Sequence, residues 1–167
     1  MKPIHKTPER LADQLILEGE KSFEFFRQLS PEQYELQVYA DGSAWTVHEI
    51  LVHFVSAERE FGRLIWDVLT GGEGAPEEFD LDQFNELEVN GKVAGNPTDL
   101  LNQYENHRRS NSQLVADMRA EDLERLGRHP YLGVVPLEEI IQMIYLHNKI
   151  HQRDIRRICM VQNDEQK

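Results

Sequence analysis

The sequence predicts an all-α protein built as a bundle of four long helices. Two observations predict it. Four segments carry apolar residues at three- and four-residue intervals, and no segment of any length alternates strictly as a strand does. Length agrees: 167 residues suit one domain, spanning 1–167, with a sizeable core.

The first helix is expected over about 8–29, with Thr7 as cap and Pro8 in the first turn. Leu11, Leu15, Ser22, Phe26 and Leu29 form its stripe, and Ser30-Pro31-Glu32 restarts a short turn of helix. The second helix has the clearest start. Thr46-Val47-His48-Glu49 is a capping box, in which hydroxyl and carboxylate each satisfy a free backbone donor of the first turn. Trp45 and Ile50 flank it as a hydrophobic staple. Phe54, Ala57, Phe61, Leu64 and Val68 continue the stripe to Gly71-Gly72.

Residues 71–96 form a long connection, rich in Gly, Asp, Glu and Asn, with a short helix expected near 81–89. Connections of this length often shape a site. They also permit a crossover, so simple up-down-up-down topology is not required. The third helix opens at Asn96-Pro97-Thr98-Asp99. Its stripe is Leu101, Tyr104, Arg108, Asn111, Val115 and Met118. The polar members suggest a stripe that is only partly dry, a face left for a second copy. A loop is expected over 127–133. The fourth helix starts at Pro136 and repeats Leu137, Ile140, Ile144, His147, His151, Ile155 and Ile158.

Two histidines thus occupy positions reserved for apolar residues. His147 and His151 lie one turn apart on one face, a spacing that lets two imidazoles reach one ion. A buried imidazole without a partner is costly, and a shared metal removes the cost for both. On the second helix, His53 lies about 60° from the stripe centre at Ile50 and can point inward. His48 lies about 160° away and should face solvent. Three neutral imidazoles leave a fourth tetrahedral position open, as catalytic rather than structural zinc sites do. The same residues would also serve as hydrogen-bonded core histidines. Of the others, His5 falls in a tail, His107 on the polar flank of the third helix, and His129 in a loop where it could line a pocket mouth.

Other chemistries fail on spacing. His48 and His53 are one residue too far apart for the helical metalloprotease motif. The positions three before His53, His147 and His151 are Ile50, Ile144 and Asn148, which excludes the Glu-x-x-His pairs of di-iron bundles. No glycine-rich phosphate loop or nucleophile elbow occurs.

Net charge is −12, so phosphate-backbone binding has little to draw on. The basic runs Arg108–Arg109 and Arg153–Arg156–Arg157 sit in helical patterns where solvated faces are expected, and no nucleic-acid partner is expected. No apolar stretch is long enough to span a bilayer, and the N-terminus lacks a signal-peptide core. With Cys159 as the single cysteine, these features lead to the expectation of a cytoplasmic protein without a disulfide framework. Cys159 itself reads as a small apolar residue in a late helix.

Trp45-Thr46-Val47-His48-Glu49-Ile50-Leu51-Val52-His53 resembles the opening of helix two in the DinB/YfiT-like superfamily. His129-Pro130-Tyr131-Leu132-Gly133, then Leu137-Glu138-Glu139 and His147-x-x-x-His151, resembles that family's last loop and last helix. The order of elements matches over nearly the whole chain.

The resemblance implies a four-helix bundle of the DinB/YfiT-like type, with a long loop between helices two and three, commonly a homodimer. It implies one divalent metal, nickel or zinc, held by His53, His147 and His151. It further implies a low-molecular-weight thiol cosubstrate and a small-molecule substrate, since characterised members include thiol-dependent S-transferases and an isomerase. Asn85, His129 and Arg153 are candidate pocket residues. Glu49 and Asp154 are candidates for orienting a ligand ring from behind. The expected function is a metal-dependent thiol S-transferase acting on small electrophiles, or a related conjugating or hydrolytic enzyme. The alternative is a non-catalytic stress-related or interaction module whose metal site is structural or vestigial.

Overall fold

A computed structural model describes residues 7–92 and 95–165; His5 lies outside the described residues. The chain runs α1 (Pro8–Arg27), α2 (Pro31–Tyr34), α3 (Val47–Leu69), α4 (Leu81–Lys92), α5 (Pro97–Ala116), a 3-10 turn (Ala120–Glu124), β1 (Leu126–His129), β2 (Gly133–Pro136) and α6 (Leu137–Glu165). The helix starts follow the capping residues. Thr7, Thr46 and Asn96 each accept a hydrogen bond from a first-turn backbone N–H, and the Thr46–Glu49 box is closed in both directions.

The four long helices form the bundle in an order that the chain does not suggest. α1 packs against α5 and α6, and α3 packs against the same two. Consecutive helices α1 and α3 therefore stand across a diagonal, as do α5 and α6. The crossovers fall in the first and last connections. The long middle connection joins neighbours instead, with α4 laid on α3 and tied by the Arg59–Glu88 ion pair at 2.7 Å.

The expected loop over 127–133 is a two-stranded antiparallel hairpin, pairing Leu126 with Pro136 and His129 with Gly133. Its strands are only four residues each, too short to display an alternating pattern. Pro136 closes β2, so α6 begins one residue later than expected. The hairpin also holds the long connection: Arg128 N donates to Glu73 O and Ala75 N donates to Arg128 O, both at 2.8 Å. Gly74 permits this approach. Its φ is +89°, and a Cβ there would meet the Arg128 backbone.

The apolar core has two parts. One gathers Leu11, Leu15, Ile65, Val115, Ile140 and Ile144. The other gathers Phe26, Ile50, Phe54, Leu101, Tyr104 and Ile155. Between them runs a polar layer. Arg108 and Glu58, exposed by only 2% and 1%, form a two-pronged ion pair, and Arg108 also donates to Leu15 O at 2.9 Å. Asn111 donates to Glu58 O, and Gln152 donates to Ser22 Oγ at 2.6 Å. The α5 stripe is thus buried along its length and covered by α1 and α3. It is not the partly dry face expected for a second copy, because its polar members are matched inside the protein. No helix among the described residues is long and apolar enough to cross a membrane.

Candidate metal centre

His53 comes from the second turn of α3, and His147 and His151 from successive turns of α6, where the two helices pack together. His147 Nε2 is the meeting point. It lies 2.8 Å from His53 Nε2 and 3.2 Å from His151 Nε2. Among the described residues these three offer ligand atoms all within 4.8 Å of one another. Nitrogens bound tetrahedrally at about 2.0–2.1 Å from one ion are separated by about 3.4 Å. The cluster is on that scale.

The protonation state suits ligation. Burial pushes His53 well below the usual imidazole range, and the neighbouring His147 and His151 add to the shift. Burial, then His151, lowers His147 to about 3, and burial lowers His151 to about 4. All three are neutral at pH 7, with a lone pair each to offer.

Two of the rings are aimed from behind. Asn148 donates its amide to the Tyr104 hydroxyl at 2.8 Å, which turns Oδ1 to accept from His147 Nδ1 at 3.2 Å. His151 Nδ1 lies 2.7 Å from the Tyr39 oxygen, and the Tyr39 hydroxyl donates to Asp154 Oδ2 at 3.3 Å. Burial, with Asp154 adding, pushes Tyr39 up to about 12, so the phenol keeps its proton. With that O–H donated to Asp154, the Tyr39 oxygen accepts from His151 Nδ1–H. Both Nε2 lone pairs then face the cluster.

The third ring has no such support. His53 Nδ1 is the one sealed side-chain atom without a hydrogen-bond partner among the described residues, under the Trp45 ring 4.9 Å away. If His53 donates from Nε2 to His147, its Nδ1 lone pair is orphaned. If Nδ1 carries the proton, that donor is orphaned and three lone pairs crowd together. The protein alone does not satisfy the cluster, whereas a divalent cation takes up all three lone pairs. The residues fit such an ion.

The cluster faces a cavity of about 840 Å³, walled by Tyr39, Trp45, Phe61, Phe79, Phe84 and Met143, among others. Its volume is that of a site for a small organic ligand. The loop over 36–46 carries Tyr39 and Trp45 to the mouth, held at its neck by Val38 N to Trp45 O and Val47 N to Leu36 O, both 2.9 Å.

Asn85 on α4 and His129 on β1 line the cavity. Arg153 does not. Two residues beyond His151 is about 200° of helix turn, which sends it to solvent, where it pairs with Asp154 at 2.9 Å. Glu49 is not behind a ring either, because its carboxylate is held by Thr46 N at 2.7 Å in the capping box. Asp154 acts through Tyr39. His48, expected in solvent, is half-buried and bonded to Gly95 O at 2.7 Å. Tyr39, Asn148 and Tyr104 were not expected at the site. Asn148 follows a ligand and shares its face with Tyr104 only after the helices pack; nothing in the chain marks Tyr39.

The comparisons with known proteins agree with this geometry. Residues 14–155 match the family model of the DinB superfamily. By sequence, no curated protein is similar enough to count as a match. Among solved structures, YfiT from Bacillus subtilis, described as a probable metal-dependent hydrolase with an unusual four-helix bundle topology, is similar with a TM-score of 0.76. Identity is 17%, over 98% of this chain and 94% of that one. The mycothiol-dependent maleylpyruvate isomerase is similar with a TM-score of 0.70 and 16% identity, over 90% of this chain. The present chain spans only 61% of that protein. At these identities the likeness is one of fold.

Proposed function

Because this chain belongs to the DinB superfamily, we propose that it is a metal-dependent enzyme, a thiol S-transferase acting on small electrophiles, with one nickel or zinc ion held by His53, His147 and His151. The observation that carries this reading is the convergence of three neutral imidazoles on the wall of an open, largely apolar cavity. A divalent cation held there by His53, His147 and His151 would supply a Lewis acid that lowers the pKa of a thiol or a water. Imidazole ligands suit nickel and zinc alike.

The chain's own residues do the rest. Asn148 and the Tyr39–Asp154 pair keep protons on the rear nitrogens of His147 and His151, so the front nitrogens stay available. Trp45 and Phe61 exclude water beside the cluster and strengthen every electrostatic interaction in it. The cavity has room for a cosubstrate thiol beside an apolar electrophile. Hydrolysis is the second reading, favoured by the likeness to YfiT over nearly all of both chains.

The test begins with elemental analysis of tag-free protein beside a His147→Ala/His151→Ala double variant. About one equivalent of metal in the first and none in the second supports the site. The loaded protein is then assayed for loss of thiol with an aryl halide and for release of acid from an activated ester. Thiol loss that needs the metal supports transfer, and ester cleavage without thiol supports hydrolysis. Metal with neither activity supports the structural-site alternative.

A further inference from the structure

His129 stands apart from the three clustered histidines and has an unusual set of partners. It ends β1, where the hairpin turns through Pro130 and Tyr131. Its Nδ1 accepts two backbone hydrogen bonds, from Tyr131 N at 3.1 Å and Leu132 N at 3.2 Å. A nitrogen that faces two N–H donors carries no proton of its own, so in the neutral ring the proton is on Nε2. The ring is only 7% exposed and stacks on Phe61, with centroids 5.5 Å apart. Phe61 in turn touches the His147 ring, so His129 views the cluster across one aromatic side chain.

Nε2 has no hydrogen-bond partner among the described residues, yet it is not sealed in the core, where His53 Nδ1 is the one such atom. The ring lines the large cavity. We infer that His129 Nε2–H is a substrate-contacting hydrogen-bond donor, a neutral imidazole locked in one tautomer and aimed at an oxygen of the ligand on which negative charge gathers. This rests on the metal-dependent reading of the same cavity and adds the class of ligand to it: an electrophile with a carbonyl, nitro or similar acceptor oxygen.

The chemistry favours a neutral ring in this place. A donor held by the backbone needs no reorganisation as charge develops, and neutral imidazole polarises an oxygen without leaving a buried cation when the ligand departs. Burial also lowers His129 to about 4, which keeps the ring neutral through the working range. The plainer role for this residue is to close the hairpin turn, and the test separates the two. Asn in place of His129 keeps an acceptor oxygen near Nδ1 for the two backbone donors and lacks the distal N–H.

The zinc-loaded protein is titrated with acetohydroxamate as a probe that presents oxygens beside a metal, with wild type and His129→Asn compared. The expected result is an unchanged metal content in a variant that still folds, with probe affinity about tenfold to hundredfold weaker. Equal affinity in a folded, metal-loaded variant overturns the inference. Long-range proton–nitrogen NMR on the imidazoles gives a second reading. Protonated Nε2 and bare Nδ1 at His129 are expected, and a proton on Nδ1 overturns it. Failure of wild type to bind either zinc or nickel would sink the metal reading and with it a ligand placed beside the metal. The NMR measurement would then decide the donor form of His129 separately.

Discussion

At the scale of single residues, the site depends on which nitrogen of each ring carries a proton. Tyr39 decides this for His151, through a 2.7 Å contact backed by Asp154. Tyr39→Phe removes the acceptor behind His151 and should weaken metal binding about tenfold to hundredfold, with little change in helix content. Competition against a chelator measures it, and unchanged affinity would remove Tyr39 from the support of the site. The same rings set an acid limit. In the unfolded chain each titrates near the ordinary 6.5; in the folded chain His147 is lowered to about 3 and His129 and His151 to about 4. Between these values the unfolded chain binds protons that the folded one refuses. Metal-free protein should therefore lose stability as pH falls from about 6.5 toward 4, and gain nothing from these groups above about 7. Urea midpoints across that range, read before carboxylates titrate, check the sign.

At the scale of elements, glycine shows why helix propensity alone misleads. Gly62 lies in the middle of α3 and Gly91 is the last but one residue of α4; in a helix interior Ala is favoured by about 1 kcal/mol. A Cβ on Gly91 meets nothing within 4 Å. A Cβ on Gly62 would run into the Asn111 side-chain oxygen, whose amide donates to Glu58 O at 2.8 Å. Gly91→Ala should stabilise by up to about 1 kcal/mol, while Gly62→Ala should destabilise by about 1–3 kcal/mol despite the better propensity. Denaturant unfolding of the two variants gives opposite signs if the packing is as described. α3 was legible as a helix from its apolar spacing and its capping box, and α4 was expected as a short helix near 81–89. That Gly62 faces α5 was not legible, since a missing side chain carries no periodicity.

At the scale of the whole molecule, the polar layer holds the bundle in register. Glu58 and Arg108 are sealed between the two apolar clusters, and each needs the other. Glu58→Gln leaves a buried guanidinium without its counter-charge and should cost about 3–5 kcal/mol. The double change Glu58→Met/Arg108→Met should recover most of that, since a well-packed apolar pair is often no less stable. Thermal melts of the single and double variants test this, and a double variant no better than the single would show that the layer has a role beyond charge pairing. Topology belongs to this scale too. With α1 and α3 on a diagonal, α3 and α6 become neighbours, and only that adjacency brings His53 to His147.

By itself the sequence determined the four long helices, their starts, and the two histidines of α6, because caps and apolar spacing are local and repeat within one or two turns. It also placed His53 on the edge of a buried face. The hairpin, the diagonal order of the helices, the Glu58–Arg108 pair and the Tyr39 support were decided only by the tertiary structure. The helix order, the ion pair and the Tyr39 support join residues dozens of positions apart, through contacts that a residue's chain neighbours neither make nor require, and the hairpin strands are too short to show a pattern of their own. Arg153 and Glu49 show the converse. Their sequence positions near the ligands suggested a part in the site, but helix geometry turns one to solvent and the helix cap claims the other.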